Sequence, residues 1–211
     1  MRNFILNKFK THWWFLCLLF INVVAFAAVI SPVSLLNQVA NQMIAELQSN
    51  KSQLKTSQGS KVINDIVNRV LVPHVDVDTM SAAVVGRQYW LSASAIQKQQ
   101  FIQEFKKLVI STYASALASY DDDQIQFYPL RGGYANASRI VVRSQITRKN
   151  GQKIQIVYNV MRVGDAWKVY DFSIDNISMV QSYRSQFSSV LASGGMENLL
   201  KRLYAHNQQV Q

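Results

Sequence analysis

Residues 138–174, SRIVVRSQITRKNGQKIQIVYNVMRVGDAWKVYDFSI, carry the reading that decides the fold. From Ser138 to Arg148 the side chains alternate: Ile140, Val142 and Ile146 share one face, while Arg139, Arg143, Gln145 and Thr147 contribute to the other. A period of two is the signature of a half-buried strand. Asn150-Gly151 then offers the strongest short hairpin signal, because a tight hairpin turn needs positive φ. Gln152 to Val163 returns, Gly164-Asp165 turns the chain again, and Ala166 to Ile174 is a further strand. Upstream, Gln124 to Leu130 reads as a strand ending near Pro129 and Gly132-Gly133. The expectation is an antiparallel meander of about four strands.

Working outward, both flanks are helical. Ser31-Pro32 combines a hydroxyl N-cap with proline at the first helical position, and Leu35, Leu36, Val39, Met43, Ile44 and Leu47 follow at helical spacing. Asn50 to Gly59 is polar and reads as a loop. Val62 to Leu71 marks a second amphipathic helix, stopped near Pro73. Asp76 or Asp78 can cap a short helix ended by Gly86, followed by the aromatic pair Tyr89-Trp90. Ser94-Ala95-Ile96-Gln97 has the spacing of a capping box and opens the longest helix, with Phe101, Phe105, Leu108 and Val109 on its apolar face. Beyond the strands, Ser178 to Gln181 repeats that spacing. A helix through Phe187 and Leu191 follows, interrupted by Gly194-Gly195 before a last helix with Leu199, Leu200 and Leu203. The fold class is α+β: helices folded over one face of a curved antiparallel sheet, with room for an apolar pocket between the layers.

The first 27 residues read as an export signal. Arg2, Lys8 and Lys10 precede the apolar run Trp13 to Val24, and Ala25-Phe26-Ala27 supplies small residues where a signal peptidase cuts. Cleavage after Ala28 is an alternative. An uncleaved anchor is another, although the run is shorter than the roughly 20 residues that span a bilayer. Removing 27 of the 211 residues leaves 184, lowers the formal charge from +10 to +7, and removes Cys17, the single cysteine. Residues 28–211 then form one domain without disulfides or thiolate chemistry, held by an ordinary apolar core.

The charge balance excludes little but directs attention. Lys and Arg are dispersed rather than clustered among aromatics, which together with export argues against a nucleic-acid partner. Solubility and attraction to acidic surfaces remain. Catalytic chemistry is scarce. His74 and His206 are far apart, and no serine sits in a nucleophile elbow. Neither Gly132-Gly133 nor Gly194-Gly195 has the context of a phosphate loop. Asp121-Asp122-Asp123 lacks calcium-loop spacing and reads as a solvated turn. Asp171 alternates onto the face of Trp167 and Val169, where a sheet-end polar residue or a helix cap competes with an acid/base role. We therefore expect no catalytic residue, no metal site and no cofactor.

The order and spacing of several motifs carry a resemblance. Residues 71–120 (LVPHVDVDTMSAAVVGRQYWLSASAIQKQQFIQEFKKLVISTYASALASY) are similar to the central block of the MlaC family, the toluene-tolerance auxiliary proteins. Trp167-Lys168-Val169-Tyr170-Asp171, Ile177-Ser178, Tyr183 to Phe187, Gly195 and Leu199-Leu200 resemble the family's C-terminal signature. The resemblance implies a soluble periplasmic carrier of phospholipid. It would move lipid between an outer-membrane lipoprotein complex and an inner-membrane ABC transporter complex and maintain outer-membrane lipid asymmetry. A monomer is the simplest state for such a shuttle.

On that implication the lipid-lining residues are expected to be Val84, Tyr89, Trp90, Phe105, Leu108, Tyr113, Tyr158, Phe172, Met179 and Phe187, all apolar or amphipathic. Each taken singly is better explained as ordinary core than as a ligand contact. Arg143, Arg162 and Arg184 can meet a phosphate or an acidic partner, or simply form a solvated face. An envelope adaptor with a solid core and a small α+β enzyme are the competing readings. The first would extract no lipid; the second would need a polar acid/base pair inside its pocket.

Overall fold

The structure is a computed structural model that describes residues 30–119 and 123–210. The expected export signal, Tyr120, Asp121 and Asp122 lie outside the described residues.

Helix α1 (Pro32–Ser49) starts as its first residues dictate: the Ser31 hydroxyl accepts from the Ser34 amide at 3.0 Å, and Pro32 needs no donor at the first turn. It buries Leu36, Val39, Met43 and Leu47. The segment expected to be a loop, Asn50 to Gly59, holds a single helical turn, α2 (Lys51–Leu54). Four residues are too few for a period to register in sequence, but Leu54 packs against the α1–α3 cluster and holds the turn in place. Helix α3 (Gly59–Val70) buries Ile63, Ile66, Val67 and Val70. A 3-10 turn, Val72–His74, follows around Pro73.

Asp76, rather than Asp78, caps α4 (Val77–Val85). Its carboxylate accepts from the Thr79 amide at 2.9 Å and from the Thr79 hydroxyl at 2.7 Å. Its own amide donates to the Val169 carbonyl at 2.8 Å, which stitches the helical half onto the sheet. Gly86 ends α4 at φ 84, ψ 150, a region open essentially to glycine alone. The aromatic pair Tyr89-Trp90 lies in a short helix, α5 (Arg87–Ser92). The Ser94–Gln97 capping box is present in both directions and opens α6 (Ala95–Ala118).

The sheet is a meander, β1 (Gln124–Phe127), β2 (Arg139–Thr147), β3 (Lys153–Val163), β4 (Ala166–Ile174) and β5 (Ile177–Ser178), antiparallel throughout and in sequence order. The expected four strands are present, and β5 is a fifth. It follows a turn whose two residues, Asp175 and Asn176, both have positive φ (47 and 68), residue types that tolerate that region. Two residues are too short for alternation to reveal.

A bulge corrects one sequence reading. Asn159 pairs with Asp171 and Val160 with Val169, which leaves Tyr170 as the extra residue. The alternation restarts there. Phe172, not Asp171, therefore joins Trp167 and Val169 on the helix-covered face, and Asp171 is released to cap a helix. Its carboxylate accepts from the Ser178 hydroxyl (2.8 Å) and the Val180 amide (3.1 Å) at the start of α7 (Met179–Val210). The Ser178 hydroxyl also accepts from the Gln181 amide at 3.1 Å.

Helix α7 is broken where Gly194-Gly195 predicts. Gly195 stands at φ 62, ψ −156, again a conformation that disfavours a side chain. Three apolar clusters result. One joins α4, α6 and α7; one joins α1, α3 and α6; the third sets Leu36 of α1 against Val142, Val160, Trp167 and Val169 of the sheet. Among the described residues no helix is long and apolar enough to cross a membrane.

Candidate functional site

The helix i, i+4 spacing and the sheet pleat bring most of the expected lining residues together. Val84 of α4, Phe105 and Leu108 of α6, and Met179 and Phe187 of α7 are buried in one cluster. Tyr89, Trp90, Tyr113 and Phe172 pack against its margin, half-buried. Tyr113 of α6 meets Phe172 of β4 edge-on at 5.7 Å, joining helix to sheet. Tyr158 belongs to the neighbouring sheet cluster, stacked on Phe127 at 5.9 Å.

Two aromatics that sequence reasoning left out of the site stand at its centre. Phe101 stacks on Phe105 at 5.4 Å, and Tyr183 meets the same ring edge-on at 5.2 Å. Phe187 closes the set, 6.2 Å from Phe101 and 5.7 Å from Tyr183. The signal was available: Phe101 precedes Phe105, and Tyr183 precedes Phe187, by one helical step of four, so each pair shares a face. At the solvent edge Trp90 lies edge-on to Phe101 at 6.4 Å, with the Lys98 ammonium 5.8 Å above its ring.

The seam between the layers is uncharged. Thr112 donates its hydroxyl proton to the Leu108 carbonyl at 2.7 Å, so the Tyr183 hydroxyl, 3.0 Å away, is the donor toward Thr112. Burial pushes the Tyr183 phenol above its ordinary pKa. Burial likewise raises Tyr113, with a further push from Tyr183. It raises Tyr158 too, partly opposed by the hydrogen bond to Ser144 at 3.3 Å. All three phenols therefore stay neutral at physiological pH. Among the described residues, the cluster around Phe101, Phe105 and Phe187 holds no ionised side chain, so it can shelter hydrocarbon and offers a few hydroxyls.

The polar candidates are placed elsewhere. Asp171 is engaged as a helix cap. His74 sits in the 3-10 turn, its pKa lowered by burial and then by the nearby Lys168 charge. Arg143 and Arg184 are exposed, whereas Arg162 is half-buried over Trp167. Among the described residues no group of three or more His, Cys, Asp or Glu side chains is arranged to hold a metal ion.

Two clefts open on the surface away from the candidate residues. One, of about 590 Å³, runs between α6 and the end of α7, lined by Ile96, Gln99, Gln103, Leu200 and Tyr204 among others. The other, of about 240 Å³, lies beside α2.

Fold and seam together define a class: an α+β protein with helices packed on one face of an antiparallel meander, and an uncharged aromatic seam where the layers meet. Comparison with known proteins gives the family. The model of the MlaC protein family matches residues 37–205. The chain is 28% identical over 207 residues to the intermembrane phospholipid transport system binding protein MlaC of Haemophilus influenzae, covering 94% of each chain. It is 26% identical over 165 residues to the toluene tolerance protein ttg2D of Pseudomonas putida, covering 78% of this chain and 75% of that one. Among solved structures it resembles the phospholipid-binding protein from Ralstonia solanacearum in complex with a phospholipid. The TM-score is 0.79 at 26% identity, over 86% of this chain and 99% of the other. The chain belongs to the MlaC family.

Proposed function

We propose that this protein is a soluble periplasmic phospholipid carrier, exported by a cleavable signal peptide. It would exchange lipid with an inner-membrane ABC transporter complex and an outer-membrane lipoprotein complex, so maintaining the lipid asymmetry of the outer membrane. The observation that carries this reading is the match, over nearly the whole chain, to a relative whose structure holds a phospholipid.

The physics of the task supports it. Each buried methylene is worth about 0.8 kcal/mol, so exposing the roughly 28 methylenes of a diacyl lipid to water costs on the order of 20 kcal/mol. Crossing an aqueous compartment therefore needs an enclosing protein. A rigid dry cavity of about 1,000 Å³ would itself cost about 24 kcal/mol at 24 cal/mol per Å³, more than the 5–15 kcal/mol that typically holds a domain together. The seam must therefore open around its cargo instead of standing open. The Tyr113–Phe172 contact between helix layer and sheet is where the two layers would part, with Val84, Tyr89, Trp90, Phe105, Leu108, Tyr158, Met179 and Phe187 meeting the acyl chains.

A transfer assay tests the proposal. Purified protein should move fluorescent phospholipid from donor to acceptor vesicles, and an organic extract of native protein should contain phospholipid. Protein that accelerates no transfer and yields no lipid would refute the carrier and favour an adaptor with a solid core.

A further inference from the structure

Arg162 and Trp167 are register partners on β3 and β4, so they share the helix-covered face of the sheet. The Arg162 guanidinium carbon lies 4.8 Å from the centre of the Trp167 ring. One of its outer nitrogens, Nη2, donates to the Tyr134 carbonyl at 3.3 Å. Two further donors of this pair, Arg162 Nε and Trp167 Nε1, are buried without an acceptor. Trp167 is only 1% exposed. Buried N–H groups are nearly always partnered, so two neighbouring orphans call for an explanation. The guanidinium charge faces the Trp167 ring, and among the described residues no ion pair joins a carboxylate to Arg162.

A partner for the pair must offer lone pairs to both N–H groups, match a guanidinium with negative charge, and be slim enough to reach a buried indole. A phosphate oxygen meets all three requirements. Position narrows it further. The pair lies at the end of the sheet beside the exposed turn Gly164-Asp165, whereas the same face of β3 runs inward through Val160, Tyr158 and Ile156 at the strand period of two. A ligand lying along that column has its anionic group near water and its hydrocarbon directed toward the seam at Phe172, the register partner of Tyr158.

We propose that Arg162 and Trp167 form the phosphate-binding site for the head group of the carried phospholipid, with the guanidinium Nε–H and the indole N–H as its donors. The inference rests on the carrier reading and adds to it the subsite that orients the cargo.

The test compares the full chain with Trp167→Phe, which keeps a ring but removes the N–H, and Arg162→Met, which keeps length but removes the fork. Each is delipidated and offered vesicles containing dioleoyl phosphatidylglycerol, vesicles containing dioleoylglycerol, or inorganic phosphate alone. Lipid captured per protein is read by mass spectrometry, and thermal melting confirms the fold. The expected result is about a tenfold loss of phosphatidylglycerol capture in both variants, with dioleoylglycerol capture unchanged. Should Arg162→Met not fold, Trp167→Phe decides alone. Equal capture of both lipids by wild type and variants would overturn the subsite and leave the carrier intact. Capture of neither lipid by the wild type would overturn the carrier reading and the subsite with it. Inorganic phosphate raising the wild-type melting temperature as much as the phospholipid does would reassign the pair to free phosphate.

Discussion

Glu104 shows how a single residue holds the end of the chain in place. It sits on α6 facing the last turns of α7, where Asn207 donates to its carbonyl at 3.0 Å and to its carboxylate at 2.7 Å. The Lys107 ammonium lies 2.7 Å from the other carboxylate oxygen. Burial pushes the Glu104 pKa up, but the hydrogen bonds from Lys107 and Asn207 and the Lys107 charge outweigh it, and the carboxyl titrates below its ordinary value. A depressed folded-state pKa stabilises above the unfolded value and is lost as pH falls through the folded one. Glu104→Gln should therefore lower stability by about 1 kcal/mol at neutral pH. The gap to wild type should close as pH drops through and below the ordinary carboxylate range, as measured by urea unfolding at several pH values. A gap that persists unchanged at low pH would show that the interaction is not ionic.

At the scale of elements, two glycines set the path of the helical layer. Gly86 turns the chain between α4 and α5 and so places Trp90 against Phe101. A side chain at Gly86 would meet Arg184 no closer than 3.6 Å, so space is not the obstacle; the backbone angle is. Gly86→Ala should cost about 1–3 kcal/mol, read as a lower urea midpoint with an unchanged slope. A neutral outcome would mean that the corner relaxes to a conformation alanine tolerates. Gly195 plays the corresponding part in α7, letting the chain bend so that Met196, Leu199 and Leu203 return to the core.

For the molecule as a whole, the proposed cargo would be linked to stability. A ligand that binds only the folded state stabilises it by about 2.7 kcal/mol at a hundredfold excess over Kd. Lipid-loaded protein should accordingly melt several degrees above delipidated protein, and reloading from phosphatidylglycerol vesicles should restore the difference in differential scanning calorimetry. Identical melting before and after delipidation would argue that lipid does not enter the fold. The dispersed positive charge would suit the proposed carrier, since it favours encounters with acidic membrane and protein surfaces.

The chain announced its own local structure because the signals are local. Ser31-Pro32, Asp76, Ser94 with Gln97, and Asn150-Gly151 act through bonds spanning a few residues, and period-two alternation reports which way each strand faces. The fold class was legible from those signals, whereas Phe101 and Tyr183 were left out of the expected set although each lies one helical step of four from Phe105 and Phe187. The bulge at Tyr170 was not legible, because an extra residue becomes visible only against its partner strand, and it reversed the faces of Asp171 and Phe172. Nor was the orphaned pair of donors on Arg162 and Trp167. Whether a buried N–H has an acceptor depends on everything folded around it, and that is a property of three-dimensional neighbours that adjacency along the chain does not encode.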